Sequence, residues 1–246
     1  YFTLVNHDNR GHVTLVNPAD YETKDSYTFD VIASDGELSD TKTVTVDVTN
    51  VNETPTLTSS DTSTVLENAA TDTVIYDAEA TDPDSDTLTY TISGNDASYV
   101  TIDSDDGEVR LISSADYETK TFYSFDVTAS DGELTDTRTM TVDVTNVNEV
   151  PALTSTDTST VEENASTDTV IYDAEATDPD GDTLIYSISG TDASYVTIDS
   201  DDGEVRLINP ADYVSKDSYT FDVTVSDGEY TDTQNVTVNV TDNQAP

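Results

Sequence analysis

Two polar stretches, residues 47–55 and 143–151, carry carboxylate and amide side chains at matching positions, and each stretch ends in proline. Each is followed by an Asp-Pro-Asp triplet, at residues 82–84 and 178–180. Carboxylate, amide and carbonyl oxygens are the ligands that calcium prefers, whereas zinc prefers nitrogen and sulfur, and magnesium retains its waters. The two stretches therefore predict calcium sites where one module of the chain joins the next.

The composition is strongly acidic, which attracts cations. Aspartate and glutamate number 52 against 8 lysines and arginines, for a formal net charge of −44. This charge repels nucleic-acid phosphates and anionic membrane surfaces, so we expect neither as a partner. The chain has no cysteine, which excludes disulfides and thiolate metal sites, and no apolar run approaches the roughly 18 residues of a membrane span. Adaptation to salty surroundings would also explain the acidity, and only the repeated positions of the carboxylates favour metal binding.

The sequence repeats with a period of 96 residues. Ser-Asp-Gly-Glu occurs at residues 34–37, 130–133 and 226–229, each copy 96 residues after the one before. Residues 61–150 and 157–246 are near copies of each other, and residues 1–55 correspond to the second half of such a unit. We therefore predict three modules, at residues 1–55, 56–151 and 152–246, of which the first is partial.

Each unit alternates apolar and polar residues with period two, which predicts β-strands and no helix. Val44, Val46 and Val48 alternate with polar residues in this way, and Asp-Gly pairs at 106–107 and 131–132 predict tight turns. The other predicted strands of the second unit are Thr73–Tyr76, Leu88–Ile92, Val109–Ile112 and Ser124–Ala129. About seven short strands in each unit predict a small antiparallel β-sandwich, with Tyr90, Ile92, Phe125, Val127 and the valines in its core.

Five motifs of the second unit occur in the same order as in a cadherin repeat. They are Leu66-Glu67-Asn68, Ala80-Thr-Asp82-Pro-Asp84, Ala115-Asp116-Tyr-Glu118, Val127-Thr-Ala-Ser-Asp131-Gly and Asn146-Val-Asn148-Glu149. The chain thus resembles half a cadherin repeat followed by two complete repeats. Its Asp- and Thr-rich units without cysteine are similar to the cadherin-like repeats of large bacterial surface adhesins. The resemblance implies an all-β fold of tandem, seven-stranded, immunoglobulin-like Greek-key sandwiches in an elongated array.

The resemblance also implies that each calcium site takes ligands from two consecutive units. The first ligand set consists of Asp20, Glu22, Asn50, Asn52 and Glu53 from the first unit with Asp82, Asp84 and Asp131 from the second. The second ligand set consists of Glu67, Asp116, Glu118, Asn146, Asn148 and Glu149 from the second unit with Asp178, Asp180 and Asp227 from the third. The first set lacks a counterpart of Glu67, which predicts unequal affinities. Val214 replaces the glutamate of the last Asp-x-Glu motif, which predicts a weak or empty site after the third unit.

The expected function follows from the charge on these sets. Carboxylates a few ångströms apart repel by roughly 4 kcal/mol per pair, so calcium should stiffen the chain into a rod. The resemblance implies extracellular extender modules of a bacterial cell-surface adhesin or filament, acting in adhesion or biofilm matrix. Neighbouring repeats, other copies of the chain or cell-surface glycans would be its partners. The alternative is a calcium-dependent polysaccharide-binding module of a secreted protein, which would need an exposed aromatic platform.

Other interpretations of the acidic motifs are weaker. The loops that begin at Asp82 and Asp178 resemble the start of an EF-hand, but they lack its glycine at position 6 and its glutamate at position 12. Residues 103–108 are better explained as a hairpin turn than as a metal loop. The two histidines do not recur between units, so no repeated Ser-His-Asp site exists and we predict no enzyme. The half unit is either a fragment or is completed by another chain.

Overall fold

The computed structural model describes residues 1–7 and 10–243, which form two compact units, Tyr1–Thr145 and Asn146–Pro246. The first unit contains the strands β1 (Phe2–His7), β2 (Arg10–Leu15), β3 (Ser26–Ser34), β4 (Ser39–Asp47), β5 (Thr56–Leu57), β6 (Thr62–Leu66), β7 (Val74–Asp77), β8 (Ala80–Thr81), β9 (Thr89–Ser93), β10 (Val100–Ile102), β11 (Glu108–Leu111), β12 (Phe122–Ser130) and β13 (Thr135–Thr145). The second contains β14 (Ala152–Leu153), β15 (Thr158–Glu162), β16 (Val170–Asp173), β17 (Ala176–Thr177), β18 (Ile185–Ser189), β19 (Val196–Ile198), β20 (Glu204–Leu207), β21 (Ser218–Ser226) and β22 (Thr231–Thr241).

The only helices among the described residues are the 3-10 turns Ala97–Tyr99 and Ala193–Tyr195. Neither is long and apolar enough to cross a membrane. The predicted all-β fold is confirmed, and the four interior strands predicted for residues 73–129 occur within one or two residues of their expected bounds.

Residues 56–145 form a sandwich of two sheets. One sheet has the strand order β6-β13-β12-β9 and the other has the order β10-β11-β7, which together give the predicted seven strands. The short strands β5 and β8 form an additional pair. Strand β6 runs parallel to β13, with Val65 opposite Val144, whereas the other pairs in this sandwich are antiparallel. Parallel neighbours need a long crossover, and the intervening strands of the module supply it.

Alternating burial along β12 and β13 produces the core of this sandwich. Residues of β12 are buried at every second position, as the period-two pattern predicted. The predicted core residues Tyr90, Phe125 and Val127 are buried, and Ile92 is partly buried against them. The second unit repeats the arrangement, with sheets β15-β22-β21-β18 and β16-β20-β19. Its core includes Phe221, Val223, Val225, Val236 and Val238.

Residues 1–55 form two hairpins, β1–β2 and β3–β4. Phe2 packs on Tyr27 and Phe29, with ring centroids 5.3 and 4.6 Å apart. The predicted burial of the valines in β4 is wrong for Val46, which is 45% exposed, whereas its equivalent Val142 is fully buried. The physical reason is that Val142 is covered by the half-module containing β6, β7 and β9, and β4 has no such cover among the described residues.

Gly107 closes the turn between β10 and β11, which confirms the Asp-Gly turn predicted there. Its φ is +81°, and a Cβ atom added to it would lie 2.4 Å from the carbonyl oxygen of Ala78. Residues with a Cβ atom are strained at such φ values, and here the added Cβ would also clash with a backbone atom.

We expect Gly107→Ala to lower the free energy of unfolding by about 2 kcal/mol in urea denaturation. Gly132→Ala is the matched control, because Gly132 has a φ of +103° but no atom within 4 Å of the added Cβ. Equal losses in the two variants would contradict the clash as the cause.

Asp192 in the second unit is 7% exposed and forms an ion pair with Lys216, with Nζ 2.8 Å from Oδ1. Its other oxygen accepts the Thr220 amide at 2.8 Å. Burial opposes ionisation, but the contacts with Lys216 and Thr220 outweigh it and hold the pKa of Asp192 below its ordinary value. The group therefore contributes stability above the unfolded pKa of about 4, and this stability is lost as the pH falls through the lower folded pKa.

We expect Asp192→Asn to lower the melting temperature at pH 7. The difference in melting temperature between variant and parent should become smaller as the solution is acidified below about pH 4, because the parent then loses the same charge. Thermal unfolding monitored by circular dichroism at pH 7, 4 and 2.5 measures this. Asp40→Asn, at an exposed position in β4, should show no such pH-dependent difference. A difference for Asp192→Asn that is constant over this pH range would show that its charge is not the cause.

Candidate metal centre

The loop after β8 gathers three aspartates. The Asp82 carbonyl accepts the Ser85 amide at 3.2 Å, and its Oδ1 accepts the Asp86 amide at 3.3 Å. Ser85 adopts a φ of +61°, which turns the chain back on itself. The carboxylates of Asp82, Asp84 and Asp86 consequently lie with one oxygen each within 4.8 Å of the others. This acidic loop is one wall of the candidate metal centre.

The connector at residues 50–53 is bound to that loop by hydrogen bonds. Asn50 Nδ2 donates to Asp84 Oδ1 at 2.7 Å, and the Glu53 amide donates to Asp84 Oδ2 at 2.8 Å. Asn52 Nδ2 donates to Asp131 Oδ2 at 2.9 Å. The structure therefore brings together connector and module residues that lie 31 to 79 positions apart in the sequence.

The first ligand set contains a second acidic cluster, formed by Glu22, Glu53 and Asp84, again with oxygens within 4.8 Å of one another. The pKa of Glu53 is raised by desolvation and by the negative charges of Glu22 and Asp84. The pKa of Asp84 is lowered, because the Glu53 amide and Asn50 donate hydrogen bonds to it. Three carboxylates held this close repel one another, and a hard divalent cation would reverse that interaction.

Asp131 and Asp20 are the carboxylates of the first set that belong to neither cluster. Asp20 instead accepts hydrogen bonds within its own turn. Its Oδ1 accepts the Thr23 amide at 3.0 Å and its Oδ2 accepts the Thr23 hydroxyl at 2.9 Å. These hydrogen bonds lower its pKa. Asp20 thus stabilises the turn that carries Glu22, and in this conformation its oxygens are used within the turn.

Two carboxylates of the second ligand set that belong to the first unit, Glu67 and Glu118, each have an oxygen within 4.8 Å of the other. Glu67 is buried, and its Oε2 accepts the Tyr117 amide at 2.9 Å. Asp116 accepts the Thr119 amide and hydroxyl at 2.9 and 3.0 Å, as Asp20 does with Thr23. Glu118 is exposed on the same turn. Glu67 is therefore bound to the turn that carries the two other acidic ligands.

The second unit repeats the connector contacts. Asn148 Nδ2 donates to Asp227 Oδ2 at 3.1 Å, and the Glu149 amide donates to Asp180 Oδ2 at 2.8 Å. The Asp182 amide donates to Asp178 Oδ1 at 3.1 Å. Asn146 is exposed at the start of this unit. The bonds of Asn52 and of the Glu53 amide thus recur 96 residues later, at Asn148 and Glu149.

Buried oxygens without a hydrogen-bond partner indicate that the clusters suit a cation. Among the described residues, Asp82 Oδ2, Asp178 Oδ2 and Asp180 Oδ1 are buried and accept no hydrogen bond. A buried carboxylate oxygen without a partner is costly, and metal coordination is one way to satisfy it. The donors are carboxylates and amides, with no cysteine available, so the chemistry fits calcium and not zinc.

Asp86 is an acidic residue that the ligand prediction left out and that the structure brings into the cluster with Asp82 and Asp84. Asp182 is its equivalent in the second unit. Both lie two positions after a predicted ligand, in the spacing Asp-Pro-Asp-x-Asp, which was interpreted only as a possible EF-hand start. Position 12 of such a loop would be Ser93, which is the last residue of β9, so the EF-hand interpretation is wrong. The Asp-x-Asp-x-Asp spacing was the sequence feature that could have identified these residues, because a tight turn places such alternating side chains on one side.

The fold and the acidic connectors together define a class of tandem β-sandwich modules with candidate cation sites. The sequence profile of the cadherin domain family matches residues 61–145 and 157–241. The chain therefore belongs to the cadherin family, and the resemblance predicted from its motifs is confirmed. Members of this family are structural adhesion proteins and not enzymes, in agreement with the prediction of no enzyme.

The chain is similar in sequence to cadherins of animals. The chain is 32% identical over 251 residues to the mouse cadherin EGF LAG seven-pass G-type receptor 2, which covers 94% of the chain and 9% of the relative. It is 32% identical over 253 residues to human protocadherin Fat 1, which covers 94% of the chain and 6% of the relative. The chain thus spans less than a tenth of the length of either relative. Neither comparison supports a bacterial origin.

Solved structures of cadherin extracellular domains share the fold. The mouse cadherin-23 EC22-24 structure aligns with a TM-score of 0.66 and 24% identity, covering 98% of this chain and 82% of its own. Extracellular cadherin domains 1-5 of protocadherin gamma B2 align with a TM-score of 0.72 and 22% identity, covering 100% of this chain and 50% of their own. At these identities the likeness establishes the fold alone.

Proposed function

We propose that the chain is a series of calcium-rigidified cadherin repeats from an extracellular adhesion protein, with modules at residues 1–55, 56–151 and 152–246. The observation that carries the proposal is the hydrogen bonding of the connector amides to Asp84 and Asp131, beside carboxylates that repel one another. A cation at that point would join the connector to the following module. Calcium accepts six to eight oxygens in loose geometry, which suits such mixed donors.

The proposed ligands are the two ligand sets, with Asp86 and Asp182 added as acidic neighbours. The residues of the two ligand sets would hold the ion, and the ion would supply the positive charge that offsets the repulsion between their carboxylates. The first set is fully contained in the first unit, and the second recurs in the sequence 96 residues later. Because all donors of the first set recur, one binding mode accounts for both, with Glu67 as an additional ligand of the second set.

The proposal also covers the kind of protein that contains these modules and the partners of that protein. The Asp- and Thr-rich composition, the missing cysteines and the near-identical repeats support extender modules of a bacterial surface adhesin or extracellular filament in adhesion or biofilm matrix. The animal relatives support an adhesive role without this location. Self-association is a further candidate, since a related solved structure is a cis-dimer of protocadherin gammaB7 EC3-6.

A calcium titration with small-angle scattering tests the proposal. We expect isothermal titration calorimetry to show calcium binding, and we expect the dimensionless Kratky plot to lose the rising tail of a flexible chain as calcium is added. Magnesium at the same ionic strength is the control, because salt screening alone also weakens repulsion between carboxylates. If calcium binds and the scattering profile does not change, the chain binds calcium but calcium does not stiffen it, which would contradict the rigidifying function.

A polysaccharide-binding module is the alternative function, and a glycan array in calcium tests it. Exposed tyrosines would have to provide the platform, but Tyr99 and Tyr195 each have a lysine Nζ over the ring, at 5.4 and 5.3 Å. Saturable binding to one polysaccharide would support this alternative. Binding that is lost in Asp84→Asn but retained after substitution of an exposed tyrosine would instead indicate contact through the calcium site.

A further inference from the structure

Three of the four lysines of this acidic chain occupy the same place in the repeat. Lys24, Lys120 and Lys216 lie 96 residues apart, each two positions after the end of an Asp-x-Glu motif or its variant. The chain has only 8 basic residues against 52 acidic ones. A cation retained at one position in every unit, directly beside proposed calcium ligands, indicates a specific role.

The head group of Lys120 is held in a cage, which we call the lysine clamp. Its Nζ lies 3.0 Å from Asp96 Oδ1 and 5.4 Å from the ring centroids of both Tyr99 and Tyr123. Asp96 is in turn fixed, because its Oδ2 accepts the Ser124 amide at 2.8 Å. Cation–π contacts and charge-assisted hydrogen bonds are each favourable, and together they restrict a side chain that is otherwise flexible.

The backbone of Lys120 closes the turn that carries two proposed ligands. Its amide donates to the carbonyl of Asp116 at 2.9 Å. Within the same turn Thr119 donates twice to the Asp116 carboxylate, and the Tyr117 amide donates to Glu67. The lysine is therefore one of the points, together with the contact to Glu67, at which this ligand-bearing turn is anchored to the body of the sandwich.

The other two modules repeat the clamp. Lys216 Nζ lies 2.8 Å from Asp192 Oδ1 and over Tyr195 and Tyr219, and its amide donates to the Asp212 carbonyl at 2.9 Å. In the partial repeat, Lys24 Nζ lies 5.3 Å from the Tyr27 ring, and its amide donates to the Asp20 carbonyl at 2.9 Å. The backbone contact and the aromatic contact are thus common to all three.

We infer that Lys24 and Lys120 are positioning residues for the proposed calcium sites, because they hold the Asp-x-Glu turns in the conformation that presents their carboxylates. This inference rests on the proposed function. Ligands that are fixed before binding lose less conformational freedom when the ion arrives, so the clamp raises calcium affinity without touching the ion. Lys216 anchors an equivalent turn in which Val214 replaces the glutamate, so there the clamp has only a structural role.

The test compares Lys120→Met and Lys120→Arg by calorimetric titration of calcium. Both are made in an Asp84→Asn background, so that the second ligand set is titrated alone. We expect Lys120→Met to weaken binding by about tenfold, the range seen when groups that orient metal ligands are removed. We expect Lys120→Arg to restore it, because arginine can make the same contacts with Asp96 and the aromatic rings.

Lys216→Met, in the same background, separates positioning from general stability. It removes an equivalent clamp and should lower the melting temperature without calcium about as much as Lys120→Met does, while leaving calcium affinity unchanged. Equal affinity losses in the two methionine variants, or none in Lys120→Met, would overturn the positioning role. Failure of the parent to bind calcium would overturn the proposed function, and the positioning role with it.

Discussion

Chelation of calcium is expected to lower the melting temperature of the chain by about 10 °C or more. An ion that binds only the folded state stabilises it by about 2.7 kcal/mol at a concentration 100 times its dissociation constant. For a module of this size, 1 kcal/mol shifts the melting temperature by about 4 to 8 °C. Relief of the repulsion among Glu22, Glu53 and Asp84, whose oxygens lie within 4.8 Å of one another, is one source of this binding free energy.

Differential scanning calorimetry in calcium and in excess chelator measures this shift. The control replaces calcium with magnesium at equal ionic strength, which separates coordination from screening of the surface charge. A melting temperature that is the same in calcium and in chelator would contradict calcium binding by the folded chain. A shift that magnesium reproduces fully would assign the effect to screening.

Asp84→Asn is expected to weaken calcium binding by the first ligand set by about two orders of magnitude, because affinity in such sites depends on the number of charged ligands. Asp84 takes part in both acidic clusters and accepts hydrogen bonds from Asn50 and from the Glu53 amide. Asparagine has nearly the same size but no charge, so the module should stay folded. Calorimetric titration should then show the loss of one class of sites while the other class remains.

Two matched variants sharpen this result. Asp103→Asn changes an acidic residue in the turn between β10 and β11, outside the clusters, and should leave calcium binding unchanged. Asp86→Asn changes only the cluster of the Asp82 loop and should weaken binding if the ion lies there. If Asp84→Asn binds calcium as the parent does, the first ligand set is wrongly assigned. If Asp103→Asn weakens binding equally, the effect is one of overall charge.

The strands and the core were predictable because they depend on local patterns. Period-two alternation fixes which side of a strand is buried, so Phe125 and Val127 were assigned to the core from sequence alone. The repeat and its motifs predicted the family, which the family profile confirms. The hydrogen bond from Asn52 to Asp131 joins residues that the motif order had already placed in one ligand set.

Other features depend on the path of the chain through space and were not predictable. The parallel pairing of β6 with β13 follows from how the strands connect, and no local pattern encodes strand direction. The alternation of β4 is the same as that of β13, yet Val46 is exposed, because burial depends on what covers a face. The hydrogen bonds that Asp20 accepts from Thr23, and the tight turn that brings Asp86 beside Asp82 and Asp84, were not predictable from the order of the motifs.

The parallel pairing of β6 with β13 has a consequence for synthesis on the ribosome. Val65 pairs with Val144, so β6 lacks its partner strand until about 80 more residues have been synthesised. This takes roughly 4 to 16 s at 5 to 20 residues per second. Strand β22, which is identical to β13 at 7 of 11 positions, follows 96 residues later and could take the same place in a swapped product. Strand β13 is synthesised roughly 5 to 19 s before β22. Folding in the order of synthesis therefore favours the pairing of β6 with β13 over its pairing with β22.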